Sequence, residues 1–342
     1  MRNNALVKTI TLTTIIIVIG LLLGLFTTSE YLRARGAGIN SLERGAQFER
    51  HQAILEGHAG NPWQYRVLAP YLLNVIIKIF NNFHINHPIA IAFVFLRVVQ
   101  DTFILLLSYA YYRELGLSLP HALIGMALLA WGISNSYYDS DLAFNTFFDI
   151  IFYLLAGLCI LKRKYIWIVP ITLLAALNRE TSGLIPFLLI ISVFILQKGS
   201  LPKVMPVFII AVVTYVAIFV GLRLIYGKQE LFIPYGHPPG LELLVYNLFR
   251  TETWRQLIAT LSIIPIIAII GYKKWPLQLR VFFWAIVPIW FVVHAFSAVM
   301  AESRLFLVPQ AMVFIPGALY SLTQQAHAPA APPLRFGAAS DS

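Results

Sequence analysis

Ten apolar runs divide this chain, at about 9–28, 89–112, 121–136, 144–161, 165–178, 183–197, 204–226, 256–271, 281–299 and 306–322. An α-helix of about 20 apolar residues spans the roughly 30 Å hydrocarbon core of a bilayer and satisfies its own backbone hydrogen bonds there. The runs therefore predict an all-α, polytopic membrane helix bundle of about ten spans. Only 12% of the residues are charged, where a soluble domain carries about 25%. So few polar side chains cannot cover a water-facing surface, and lipid must cover part of it. The first run is read as a retained signal-anchor, being longer than the core of a cleaved signal peptide. The runs 165–178 and 183–197 are short for upright spans. They are split by Asn178-Arg179-Glu180-Thr181, which predicts a tight hairpin or a broken pair lining a cavity. A single cysteine, Cys159, allows no intramolecular disulfide and no cysteine-built metal site.

The basic residues give the orientation. With the N-terminus inside, Arg2, Lys8, Arg113, Lys162, Arg163, Lys164, Lys198, Lys203, Lys273, Lys274, Arg280 and Arg335 all fall in cytoplasmic segments, against two acids there, Glu114 and Asp341. The rest of the chain carries 13 basic and 13 acidic residues. The positive-inside rule thus predicts an N-in, C-in topology. It also accounts for the net charge without a nucleic-acid partner. Residues 1–324 read as a single transmembrane domain. Its first outer loop, 29–88, carries an interfacial helix at about Val67–Phe80, and a second outer loop covers 228–255. Residues 325–342, rich in Ala, Pro and Ser, read as a disordered cytoplasmic tail. No fixed-period repeat is visible.

With this topology the polar residues gather on the outer side. Ionisable groups at membrane depth are costly and usually face a cavity or each other. The outer candidates are Glu43, Trp63, Tyr65, Arg66, Asp139, Asp141, Arg179, Glu180, His237, Glu302 and Arg304. Acids mixed with Arg and His suit a site that holds an anion and removes a proton. Bland readings compete. Arg97 and Asp101, four apart on a helix, read as a structural pair. Asp149 reads as hydrogen-bonded to a neighbouring helix, and His84 and His87 as loop residues. No His-x-x-x-His pair marks a metal site.

The stretch Phe48-Glu49-Arg50-His51-Gln52-Ala53-Ile54-Leu55-Glu56-Gly57, followed by Asn61-Pro62-Trp63-Gln64-Tyr65-Arg66-Val67-Leu68-Ala69-Pro70, resembles a pattern of the glycosyltransferase C superfamily, whose members use polyprenyl-phosphate sugars. Asn178-Arg179-Glu180-Thr181 is similar to that superfamily's polar tip between two short helices. Glu302-Ser303-Arg304 is similar to its Glu-x-Arg segment before the last span, and Asp139 and Asp141 to its second outer acidic motif. The resemblance implies a catalytic carboxylate at Glu43, where the family usually has Asp, with Asp139 and Asp141 as further acidic site residues. It implies donor-phosphate contacts from Arg66, Arg179 and Arg304, and substrate contacts from Trp63, Tyr65, Glu180, His237 and Glu302.

The implied reaction moves a hexosyl or pentosyl unit from a polyprenyl-phosphate donor to an unspecified acceptor. It takes place at the outer face of a bacterial plasma membrane, with no established cofactor; a divalent cation is compatible with it. Such transfer needs a base for the acceptor proton and cations for the departing phosphate, and Trp63 and Tyr65 are of a type that stacks on a sugar. Two other classes compete. A transporter or lipid flippase would place charges at mid-span and pair broken helices in two halves. A non-catalytic subunit would need a partner in a membrane complex.

Overall fold

All ten apolar runs form helix, but they differ in length enough to change the expected span count. The computed structural model describes residues 2–34, 41–138 and 142–323. Among these residues, six helices are long and apolar enough to cross a bilayer. The first, α1 (Arg2–Ala34), supplies Ile10–Arg33. The others are α5 (Pro88–Glu114), α7 (Phe144–Leu161), α10 (Leu201–Tyr226), α14 (Leu277–Ser297) and the last span, Ser303–Leu322. A seventh is formed if α12 (Thr251–Leu261) and α13 (Ile264–Ile270) count as one span, although they bend by 72° at their junction. The bend falls at Ser262, which has φ 55° and cannot continue a right-handed helix. The runs near 121–136, 165–178 and 183–197 give only α6 (Leu119–Ser134), α8 (Ile168–Asn178) and α9 (Leu184–Leu196), too short to span upright.

The region expected to be a long outer loop is largely helical. It holds α2 (Ser41–Arg44), α3 (Ala46–Glu56), a single 3₁₀ turn at Trp63–Tyr65, and α4 (Leu68–Asn82). Gly57, in the left-handed conformation at φ 85°, closes α3 by donating its N–H to the Ala53 and Ile54 carbonyls. The helix expected at about 67–80 forms as α4. It buries Ala69, Pro70, Leu73 and Ile77 and exposes Tyr71, Leu72, Val75 and Ile79. The second expected loop is irregular from Lys228 to Gly240, then forms α11 (Leu241–Phe249) and passes into α12. The tail 325–342 lies outside the described residues.

Packing explains why the bundle closes. Between α1 and α5, Gly20 and Gly24 let the backbones approach closely. A Cβ at Gly20 would meet the Thr102 Cα at 2.6 Å, and one at Gly24 the Val98 Cα at 2.6 Å. This small-xxx-small contact suits helices that have no hydrophobic drive to associate within lipid. Within this contact Asp101 accepts from the Thr27 hydroxyl at 3.3 Å, and on the α7 side of α5 Arg97 lies over the Phe147 ring at 3.6 Å. The last span contains a π turn at Gln310–Phe314. Its Ala311 and Met312 carbonyls accept from the Tyr112 and Tyr111 hydroxyls of α5 at 3.0 and 2.9 Å, which gives these two backbone acceptors buried partners. By contrast α10 turns Ile209, Ile210, Val213, Leu224 and Ile225 outward. An apolar surface of that kind suits lipid.

Candidate functional site

One end of the bundle holds a cavity where the N-terminal ends of α5 and α7 meet the C-terminal ends of α8 and α14. It encloses about 980 Å³ of empty space, its open mouth included. From α3 come Gln47, Arg50, His51 and Ile54, whose spacing of three and four puts them on one helix face. Pro62, Trp63 and Arg66 follow, then Ala69, Pro70 and Leu73 of α4. The start of α7 adds Ala143 to Thr146, and the far wall is Arg179, Phe232 and residues from Ser297 to Leu305, among them Glu302 and Arg304.

Local structure fixes these groups. The Gln64 side chain spans the turn after α3, accepting from the Ala59 N–H at 2.8 Å and donating to the Ile54 carbonyl at 2.9 Å. Asn61 donates to the Glu230 carbonyl and accepts from the Phe232 N–H, at 2.7 and 2.9 Å, which straps the irregular 228–233 segment across the 61–66 turn. The Tyr65 hydroxyl donates to the Gly227 carbonyl at 2.8 Å. At the other wall α8 stops at Asn178, and Arg179 is extended (φ −163°, ψ 152°). The Ser182, Tyr215 and Tyr153 hydroxyls donate to the carbonyls of Arg179, Glu180 and Thr181. These bonds hold the tip in one shape.

The charges are paired through the walls. Arg66 donates from Nη2 and Nε to one Glu180 carboxylate oxygen at 2.9 and 3.2 Å. Arg179 donates to Asp149 at 3.2 Å and to the Thr146 hydroxyl at 3.4 Å, while Asn178 donates to the other Asp149 oxygen at 2.8 Å. Arg304 bonds Glu302. Burial, then the nearby Arg66 guanidinium, pull Arg179 below the usual arginine pKa. For Glu180 burial acts to raise the carboxyl, but Arg66, a backbone N–H and Arg179 together outweigh it, and the group sits below the ordinary carboxylate range. Burial lowers His51 to about 4, so its imidazole is neutral near pH 7. Four guanidiniums, a neutral imidazole and one carboxylate thus line the cavity among the described residues, with two more carboxylates behind it. Guanidiniums present flat forks of N–H donors matched to carboxylate or phosphate.

No family model matches this chain, and neither does any curated protein or solved structure. The site therefore stands on its geometry. That geometry gathers Trp63, Arg66, Arg179, Glu302 and Arg304, and places Glu180 directly on Arg66. It leaves others apart. Glu43 faces His87 at 3.2 Å and is not among the lining residues. His237 bonds Glu242 at 3.1 Å beside a separate groove along α11. Tyr65 packs in a small cluster with Val67 and Leu222, with the Arg223 guanidinium 4.4 Å over its ring. Asp139 and Asp141 lie outside the described residues. Among the described residues no three His, Cys, Asp or Glu side chains gather to hold a metal ion.

Gln47, Asn145 and Thr146 were not singled out in the sequence, and Arg50 and His51 stood out only as polar groups of the 48–57 stretch, with no assigned role. For the α3 group a signal existed: 47, 50, 51 and 54 repeat at the spacing of one helix face, just ahead of Pro62-Trp63. Asp149 bonds a neighbouring helix as its sequence suggested, through Asn178 at the end of α8, but its pairing with Arg179, 30 residues away, left no local signal.

Proposed function

We propose that this chain is an integral membrane glycosyltransferase that takes a hexosyl or pentosyl unit from a polyprenyl-phosphate donor at the outer face of a plasma membrane. The observation that carries the reading is the cavity lined by Arg50, Arg66, Arg179 and Arg304 at the ends of membrane-length helices. Converging guanidiniums repel one another, and an anion among them relieves that cost. The neighbouring α4, which lines the cavity with Leu73, presents Tyr71, Leu72, Val75 and Ile79 outward. An apolar flank beside a cationic pocket suits a ligand that is half lipid and half phosphate. The arginines hold the donor phosphate and stabilise it as it departs.

A carboxylate takes the acceptor proton. Glu302 is already engaged in an ion pair with Arg304, whose guanidinium it orients. The base is therefore sought among Asp139, Asp141 and Glu43. Their amide variants are expected to separate them: the one that removes the base lowers turnover by about 10²- to 10⁴-fold, with donor binding retained. The assay is a panel of labelled lipid-phosphate sugars supplied to purified protein in nanodiscs, read as transfer or hydrolysis. Turnover of none of them would count against the enzyme reading and in favour of a complex subunit.

The orientation belongs to the same proposal. N-in and C-in termini with ten membrane-associated segments put Lys162, Lys203 and Lys273 in the cytoplasm and Gly57 and His237 outside. Cysteine substitutions at these positions, probed with an impermeant thiol reagent, are expected to label only at 57 and 237. Labelling at 162 from outside would overturn the orientation.

Arg97 and Asp101, buried along α5, favour a transporter as a second reading, since ion-coupled transport uses charges at that depth. Asp101 is held by Thr27 of α1 and Arg97 by the Phe147 and Phe144 rings of α7, and neither lines the cavity, which gives both a packing role and weighs against it. Substituting Asp101 with Asn is expected to leave sugar transfer intact.

A further inference from the structure

The Trp63 indole touches two of the cavity's cations. The Arg50 guanidinium carbon lies 4.4 Å from its ring centroid and that of Arg66 lies 5.3 Å away. Both distances are within cation–π range. We propose that Trp63 is a positioning residue for these two guanidiniums, and that Arg50 is a further residue binding the phosphate of the donor. The inference rests on the donor reading above and deepens it.

The two arginines reach the indole from different parts of the chain. Arg50 stands on α3, and Arg66 follows Trp63 by three residues, its N–H bonded to the Trp63 carbonyl at 3.1 Å. Left alone, two like charges would move apart into solvent. The negative face of the ring attracts both and limits how far either can swing. The turn that carries the indole is held on both sides: the Asn61 bridge to residues 230–232 precedes it, and the Tyr65 hydroxyl bond to Gly227 follows it. Arg66 is anchored a second time by Glu180. Arg50, Trp63 and Arg66 all line the cavity, which also receives Arg179 and Arg304 from other elements.

The ligand chemistry follows from the donors. Planar guanidinium forks converging from several elements suit a tetrahedral anion with several acceptor oxygens, the phosphate of a lipid-linked donor. A ring whose contacts are guanidiniums supports charge recognition and is poorly placed to stack on a sugar. Trp63 then acts on the phosphate end of the donor, through the arginines, rather than on the sugar.

The test compares two ligands on the full-length protein in nanodiscs: a bare polyprenyl phosphate, and the same lipid phosphate carrying its sugar. Replacing Arg50 with Ala is expected to weaken both by about 10- to 100-fold. Trp63→Leu is expected to weaken both equally, by about tenfold, and Trp63→Phe, which keeps a ring face, by about threefold or less. Guanidinium ion at millimolar concentration is expected to restore binding to Arg50→Ala but not to Trp63→Leu, where a loose Arg50 still occupies the site. A purely structural role for Arg50 would show no such rescue. If Trp63→Leu weakens only the sugar-bearing ligand, the indole is a sugar platform and the inference falls. Wild-type binding with no loss in Arg50→Ala also overturns it, leaving the donor reading intact. A wild-type protein that binds neither ligand overturns both. Should Trp63→Leu fail to fold, Arg50→Lys carries the test: it keeps the charge without the flat group that lies on the indole. A several-fold loss is expected there, and wild-type affinity overturns the inference.

Discussion

Replacing Arg179 with Ala is expected to cost about 3–5 kcal/mol of stability, the usual consequence of leaving one buried member of an ion pair uncompensated. Asp149 is fully buried in α7 and has two described side-chain partners, Asn178 and Arg179. Removing the guanidinium leaves the carboxylate with a single amide. It must then take up a proton or draw water into the wall of the bundle. The same substitution frees the Thr146 hydroxyl and takes one cation from the cavity. Structure and function separate in the double variant Arg179→Met with Asp149→Leu, where both charges give way to apolar groups. Its thermal stability in detergent is expected to recover to the wild-type level or above, while binding of a polyprenyl phosphate stays lost. Recovery of binding along with stability would mean that Arg179 only neutralises Asp149.

Arg304→Ala is expected to lower turnover by about 10²- to 10³-fold, the effect seen when one donor to a developing anion is removed from a preorganised site. Arg304 sits at the start of the last span, lines the cavity and is bonded to Glu302, whose carboxylate holds its fork in place. Arg304→Lys keeps the charge but not the fork, and should recover part of the loss. Glu302→Gln removes the orienting charge and leaves the cation, so a smaller drop is expected, mostly in kcat. Steady-state transfer assays on the three variants order these effects. Equal losses in Arg304→Ala and Glu302→Gln would assign the two residues one shared structural role.

The helices of this protein are legible in its sequence because burial in lipid demands long apolar runs, and each of the ten runs is helical. Their number as spans was not legible, because hydropathy alone does not locate a break. Ser262 interrupts an otherwise apolar stretch with a single residue at positive φ. The polar start of α12, from Thr251 to Arg255, read as loop although it is amphipathic helix. In the site, Arg179, Glu180, Glu302 and Arg304 were visible as charges interrupting apolar sequence, and such charges are costly enough to mark a cavity. Glu43 was singled out only by its position ahead of the 48–70 stretch, and it faces His87 across 44 residues of separation. Nothing local distinguishes a carboxylate aimed at a cavity from one aimed at a loop histidine. The α3 face was hidden because Arg50 and His51 sit in a charge-rich stretch with nothing local to rank them above their neighbours, whereas Asp149 read as hydrogen-bonded to a neighbouring helix, and Asn178 at the end of α8 is that partner.

The central claim is that the four-arginine cavity receives the phosphate of a lipid-linked donor. The direct measurement is an electron-microscopy map of the protein in nanodiscs with a polyprenyl-phosphate sugar bound. The account predicts phosphate density about 3 Å from guanidinium nitrogens of Arg179 and Arg304, with the lipid chain leaving past the exposed face of α4. Phosphate density in the groove along α11, beside His237 and Arg250, with the arginine cavity holding only water, would contradict it.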